Sequence, residues 1–108
     1  MEIKRGSLYW VSLDPTRGSE IKKRRPCVVI GANPINRARR TVVIIPLSSI
    51  GKERYPLAIG VSCMNQKAIA VVDQIRAIDK SRITAECGRL SSEEMETLEK
   101  ALRLVLEV

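Results

Sequence analysis

Two apolar runs, Cys27-Val28-Val29-Ile30 and Thr41-Val42-Val43-Ile44-Ile45-Pro46-Leu47, set the limits on the fold. Both are dominated by β-branched residues, both are shorter than an ordinary helix, and neither alternates with polar residues. Runs of this kind are strands buried on both faces or packed inside a small barrel. Pro26 enters the first of them. It cannot donate to a ladder and it biases the residue before it toward extended geometry, so Arg25 stands at a defined junction between loop and strand.

Other segments fit around these two. Leu8-Tyr9-Trp10-Val11-Ser12-Leu13 reads as a first strand that stops at the turn signal Asp14-Pro15, with Tyr9 and Val11 on one face. The connection to Cys27 holds Gly18-Ser19-Glu20 and then Lys22, Lys23, Arg24 and Arg25. It reads as a mobile, cation-rich loop suited to phosphate. Gly31 to Arg40 is a polar loop with room for one helical turn, and Ser48 to Tyr55 is another polar loop. Pro56 to Val61, Ala68 to Val72, Ile75 to Ile78 and Thr84 to Arg89 supply further short strands. Five or more short strands at this spacing suggest a closed or half-closed barrel.

The period changes at the C-terminus. Ser91 with Glu94 forms a capping box, Leu90 and Met95 fit a hydrophobic staple, and Met95, Leu98, Leu102 and Val105 recur at helical spacing. One helix follows, with Glu93, Glu96, Glu99, Lys100 and Arg103 on its solvated face. A chain of 108 residues supports one core, so residues 1–108 read as a single domain.

Charge is unevenly divided. Residues 1–54 hold 12 Lys/Arg against 4 Asp/Glu, and residues 55–108 hold 7 against 8. The net charge of +7 therefore belongs to the first half and favours an anionic partner. Without a basic amphipathic helix, nucleic acid suits that charge better than a membrane surface. No signal peptide, transit peptide or long apolar span is seen, which makes the cytoplasm the expected location.

Cys27, Cys63 and Cys87 are odd in number and widely spaced, which argues against a disulfide framework or a zinc site. The chain has no histidine. That excludes Ser-His-Asp and Cys-His triads, histidine-ligated metals and an imidazole pair acting on RNA. No cofactor or metal is indicated.

With the order of elements in hand, the chain resembles the MazF/PemK family of toxin endoribonucleases along essentially its whole length. The residues that carry the likeness are Arg5-Gly6 before Leu8-Tyr9-Trp10, Leu13-Asp14-Pro15 with Gly18-Ser19-Glu20, Arg24-Arg25-Pro26 before Val28-Val29-Ile30, and Asn36-Arg37. Pro46-Leu47-Ser48-Ser49, Val72-Asp73-Gln74-Ile75-Arg76, Ile78-Asp79-Lys80-Ser81-Arg82 and Gly88-Arg89-Leu90-Ser91 continue it in order. The resemblance implies a mainly β, SH3-like barrel with a C-terminal helix and a homodimer. It also implies metal-independent cleavage of single-stranded RNA at short motifs, and a MazE-like antitoxin that blocks the site.

By position, the family's catalytic Arg matches Arg25 and its catalytic Thr matches Ser48. The serine keeps the hydroxyl but lacks the methyl group that stiffens χ1, so looser positioning is expected. Cleavage through the 2′-hydroxyl needs a proton removed, the phosphorane oxygens stabilised and the 5′-oxygen protonated. Arg25 suits the second task, since a planar guanidinium presents two donors to one phosphate. Deprotonating a guanidinium at neutral pH costs about 7 kcal/mol, so electrostatic stabilisation is its expected role.

Asp73 matches an acidic position used by some family members and is one candidate base, against a structural role holding Arg76 or a loop amide. Glu20 is the competing base, with loop ordering as its alternative. Arg17, Lys22, Lys23, Arg37 and Lys52 are expected at phosphates, each cation against a role as ordinary solvated surface, and Asn36 at a base edge or sugar. Tyr9 and Trp10 belong to the core or a dimer interface more readily than to a stacking platform. Two rivals share the fold: a CcdB-like toxin that binds gyrase, and a nucleic-acid-binding module without catalysis.

Overall fold

The two β-branched runs pair with each other. In the computed structural model, which describes residues 1–108, Val28 lies opposite Ile45 on one side and Leu8 on the other. The strands are β1 (Ser7–Ser12), β2 (Arg24–Val29), β3 (Thr41–Ser48), β4 (Ala58–Cys63), β5 (Gln66–Val71), β6 (Arg76–Asp79) and β7 (Ile83–Arg89). A short helix α1 (Asn33–Ala38) joins β2 to β3, and α2 (Ser92–Leu106) ends the chain. 3₁₀ turns at Val72–Gln74 and Lys80–Arg82 flank β6.

All pairings are antiparallel, in the order β4-β5-β3-β2-β1-β7. Strand β3 is long enough to be shared: Thr41 to Ile44 pair with β6, and Leu47 and Ser48 pair with β5. The sheet curls until Cys63 on β4 lies against Cys87 on β7, yet the two end strands do not pair. The barrel is therefore a half-barrel.

The lack of alternation in β2 and β3 has a direct cause. Leu8, Val28, Ile45 and Leu47 face a core completed by Leu90, Met95, Leu98 and Ala101, mostly from α2. Tyr9, Val11, Cys27, Val29, Val42 and Ile44 face a second core with Ile3, Leu13 and Ile78. Both faces of the central strands are buried. Tyr9 is a core residue whose hydroxyl accepts from Lys4 N at 2.9 Å and donates to Glu2 O at 3.3 Å.

Helix α2 starts as its sequence predicts. Ser91 Oγ accepts from Glu94 N at 3.0 Å and Glu94 Oε1 accepts from Ser91 N at 2.8 Å. The other Glu94 oxygen accepts from Ser62 N at 2.7 Å and ties the cap to β4. Glu99 leaves the solvated set, because Arg5 reaches it at 2.8 Å. No helix is long and apolar enough to cross a membrane.

The loop between β1 and β2 is tethered, where the sequence suggested a mobile segment. Lys23 N donates to Asp14 Oδ1 at 3.0 Å and Ile21 N to Gln74 Oε1 at 3.3 Å. Arg82 grips the carbonyls of Ser12 and Asp14 at 3.1 and 2.6 Å, and Arg76 that of Leu13 at 3.1 Å. Arginines from the far end of the chain thus fasten its root.

Candidate active site

Arg25 occupies the position its proline neighbour predicts. As the second residue of β2 it projects at the rim of the half-barrel, where its Nε donates to Lys22 O at 3.0 Å and its Nη1 to Leu47 O at 3.1 Å. Two of five guanidinium N–H groups are spent on carbonyls, and three remain. The carbonyls fix the plane without neutralising it, and no carboxylate pairs with Arg25.

Ser48 follows Leu47 at the end of β3 and lies in the same cleft, which has a volume of about 320 Å³. The cleft walls also carry Trp10, Arg24, Cys63, Met64, Gln66 and Lys67. Three cations and no carboxylate line it. Ser48 Oγ donates to Ile50 O at 2.9 Å and accepts from Ile50 N at 3.2 Å, so the hydroxyl also closes a turn of its own loop.

The other expected residues divide sharply. Lys52 borders a neighbouring hollow shared with Ser49 and Lys67. Arg17, Lys22 and Lys23 are exposed on the tethered loop, and Arg37 is exposed on α1. Asn36 is different: it is 1% exposed, its Nδ2 donates to Gly31 O at 2.9 Å, and it braces the β2 to α1 corner. A residue so buried does not read a base edge, which corrects the expectation for it.

Neither candidate base lines the cleft. Glu20 turns back on its own loop, accepting from Arg17 N at 2.6 Å, because a carboxylate three residues on is well placed to satisfy that amide. Asp73 is exposed in the first turn of the Val72–Gln74 segment and forms no hydrogen bond or ion pair with Arg76, whose Nη2 donates to Leu13 O.

The cleft also holds Lys67, which the sequence did not single out, Arg24, read there only as one cation of the loop, and Trp10, expected in the core or a dimer interface. Arg24 stacks on the Trp10 ring, with Cζ 4.6 Å from the centroid, and Lys67 Nζ meets Glu53 Oε1 at 3.2 Å. Strand period was the available signal for Trp10, since it lies out of phase with buried Tyr9 and Val11. Lys67 follows Met64 and Asn65, which turn β4 back into β5.

The thiols are set by burial. Desolvation pushes Cys27 up to about 12 despite the opposing field of Arg25, and pushes Cys87 up to about 11 and Cys63 upward as well. None is prepared as a nucleophile. Among His, Cys, Asp and Glu side chains, no three come together as a metal site.

The family model of PemK-like, MazF-like toxins of type II toxin-antitoxin systems matches residues 4–106. The chain belongs to the PemK/MazF toxin family. Endoribonuclease MazF9 of Mycobacterium tuberculosis is 31% identical to it over 115 residues, covering 98% of each chain. Endoribonuclease EndoA of Bacillus subtilis is 31% identical over 111 residues, covering 98% of this chain and 96% of its own. The fold matches the crystal structure of MazF from Deinococcus radiodurans with a TM-score of 0.87 at 21% identity, covering 97% of this chain and 96% of that one. A MazE-MazF structure from the same organism aligns at a TM-score of 0.82 and 21% identity, over 100% and 98% of the two chains. The PemK/MazF membership covers both strands that carry Arg25 and Ser48.

Proposed function

We propose that this chain, a MazF-type toxin endoribonuclease, cleaves single-stranded RNA in the Arg25 and Ser48 cleft by attack of the 2′-hydroxyl on the adjacent phosphate. The observation that carries the reading is the Arg25 guanidinium, clamped by the carbonyls of Lys22 and Leu47 with three donors left for a phosphate. In the step, the 2′-oxygen bonds to phosphorus as the bond from phosphorus to the 5′-oxygen breaks. Water takes the 2′ proton and supplies one to the departing oxygen, leaving a 2′,3′-cyclic phosphate and a 5′-hydroxyl. Arg25 holds the charge that gathers on the non-bridging oxygens, and Ser48 adds a donor when its hydroxyl turns from Ile50.

The cations Arg24 and Lys67 in the cleft, Lys52 beside it and the exposed Arg17, Lys22 and Lys23 draw the strand in. A MazE-like antitoxin with an acidic segment would occupy the same cleft, and the relatives solved as MazE-MazF complexes support that partner. A homodimer, acting in the cytoplasm, completes the proposal. Exposed Ile50, Tyr55 and Leu57, and Leu104, Leu106 and Val108 at the end of α2, are apolar surface available to an interface.

The test is purified protein with a long mixed-sequence RNA in EDTA, beside an Arg25→Ala control. Discrete cuts ending in cyclic phosphate and absent from the control are expected. Intact RNA from folded protein would favour the gyrase-binding or binding-only rival.

A further inference from the structure

Trp10 lies on the face of β1 opposite buried Tyr9 and Val11 and is itself half-buried, on the wall of the cleft. Its cross-strand neighbours are Pro26 and Ala85, which leave the indole uncovered by any large side chain of their own. Arg24 covers it instead, in cation-π contact. Arg24 Nε and Nη2 both reach Thr84 Oγ1, at 3.3 and 3.2 Å, and that hydroxyl donates to Trp10 O at 3.3 Å. The guanidinium therefore has one face on an aromatic ring and one edge on a threonine. Arg24 has no carboxylate partner, remains exposed and lines the cleft beside Arg25.

A cation needed only for phosphate attraction has no use for a fixed plane. A guanidinium backed by an indole is a flat, charged surface of the kind on which unstacked RNA bases are held. We infer that Arg24, backed by Trp10 and Thr84, seats one nucleobase adjoining the scissile phosphate and is a specificity-determining residue for cleavage. The inference rests on the reading of the cleft as an RNA-cleaving site. Stacking strength favours a purine there, because the larger ring covers more of the plane. Arg25 and Arg24 then divide the work, the first taking phosphate and the second a base.

The experiment walks a single abasic site along an oligonucleotide carrying a mapped cut, with the wild type and Arg24→Lys. Lysine keeps the charge and loses the plane. At one position the abasic site lowers wild-type kcat/KM by about tenfold or more. Arg24→Lys shows a similar loss on intact RNA and no further loss with that abasic site. Equal abasic penalties in both proteins at every position, or an Arg24→Lys variant within about twofold of wild type on intact RNA, would overturn the inference. Trp10 is the only tryptophan, so its emission gives a second readout with an uncleavable 2′-O-methyl oligonucleotide. Intact oligonucleotide should shift the emission and the abasic one should not; equal shifts count against the stack. If wild-type protein cuts no RNA, the cleavage reading fails, and walking the abasic site along any 2′-O-methyl oligonucleotide that the protein binds still decides the stack: finding no position at which the abasic site abolishes the emission shift overturns it.

Discussion

The Ser48 hydroxyl donates to the carbonyl of Ile50 at 2.9 Å while the Ile50 amide returns a bond to the same oxygen at 3.2 Å. A hydroxyl has one proton, so a phosphate in the cleft competes with the turn for it. Ser48→Ala should lower the single-turnover cleavage rate about tenfold or more, the worth of a donor to a charged group. Ser48→Thr restores a χ1 restricted by branching and should match or exceed the wild type. Cleavage by Ser48→Ala at the wild-type rate would assign the hydroxyl to the turn alone.

Arg25 combines two anchored N–H groups with three free ones, and lysine reproduces neither feature. Its ammonium is a point charge on a flexible stem. Arg25→Lys should lose about a hundredfold in kcat or more, with the melting temperature close to the wild type because the side chain lies at the rim. Near-normal cleavage by Arg25→Lys would remove the forked donor from the mechanism.

The strands were legible because β-branched runs bounded by turn residues have few other uses. Ser91 and Glu94 likewise announced α2 through a reciprocal bond that needs only two residues three apart. Arg25 was legible through Pro26 and the family likeness. Asn36, Glu20 and Asp73 were not, since a polar side chain in a loop reads the same whether it meets solvent, a ligand or its own backbone. Only tertiary packing reveals that Asn36 turns inward to Gly31. Lys67 went unread, and Arg24 was read only as one cation of a loop, for a related reason: the sheet's curl brings the start of β5 across from the start of β2, and no local pattern encodes that distance.

Cys27 links the core to alkaline stability. Burial raises its thiol to about 12, so the folded state keeps a proton that the unfolded chain loses near its ordinary value of 9.0. Its contribution is therefore intact below pH 9.0 and is lost as pH rises from there toward about 12. The slope approaches about 1.4 kcal/mol per pH unit. Urea unfolding across pH 8 to 11 should show wild-type stability falling relative to that of Cys27→Val as pH rises above 9.0, and a pH-independent difference would refute it.

Met64 and Asn65 both have positive φ, 52° and 63°, in the two-residue turn between β4 and β5. That geometry suits Asn and Gly, whereas a methionine is strained in it. Met64→Asn should raise stability by about 0.5–1 kcal/mol, seen as a melting temperature several degrees higher. Because Met64 also lines the cleft, a stabilised variant with reduced cleavage would mean that its side chain is retained for the substrate.

Glu53 is the one carboxylate that engages a cleft cation, and Gly60 makes this possible. A β-carbon at Gly60 would collide with the Glu53 carboxylate, which lies over β4 on its way to Lys67. The pair is exposed, so its loss should cost little stability. Its effect on RNA should be larger, because Glu53 both occupies Lys67 and repels phosphate. Glu53→Gln should tighten binding of single-stranded RNA by about two- to fivefold at low salt, and the advantage should fade as salt screens the cleft. Gly60→Ala should act in the same direction by displacing the carboxylate. Unchanged affinity in both variants would show that Lys67 does not reach the strand.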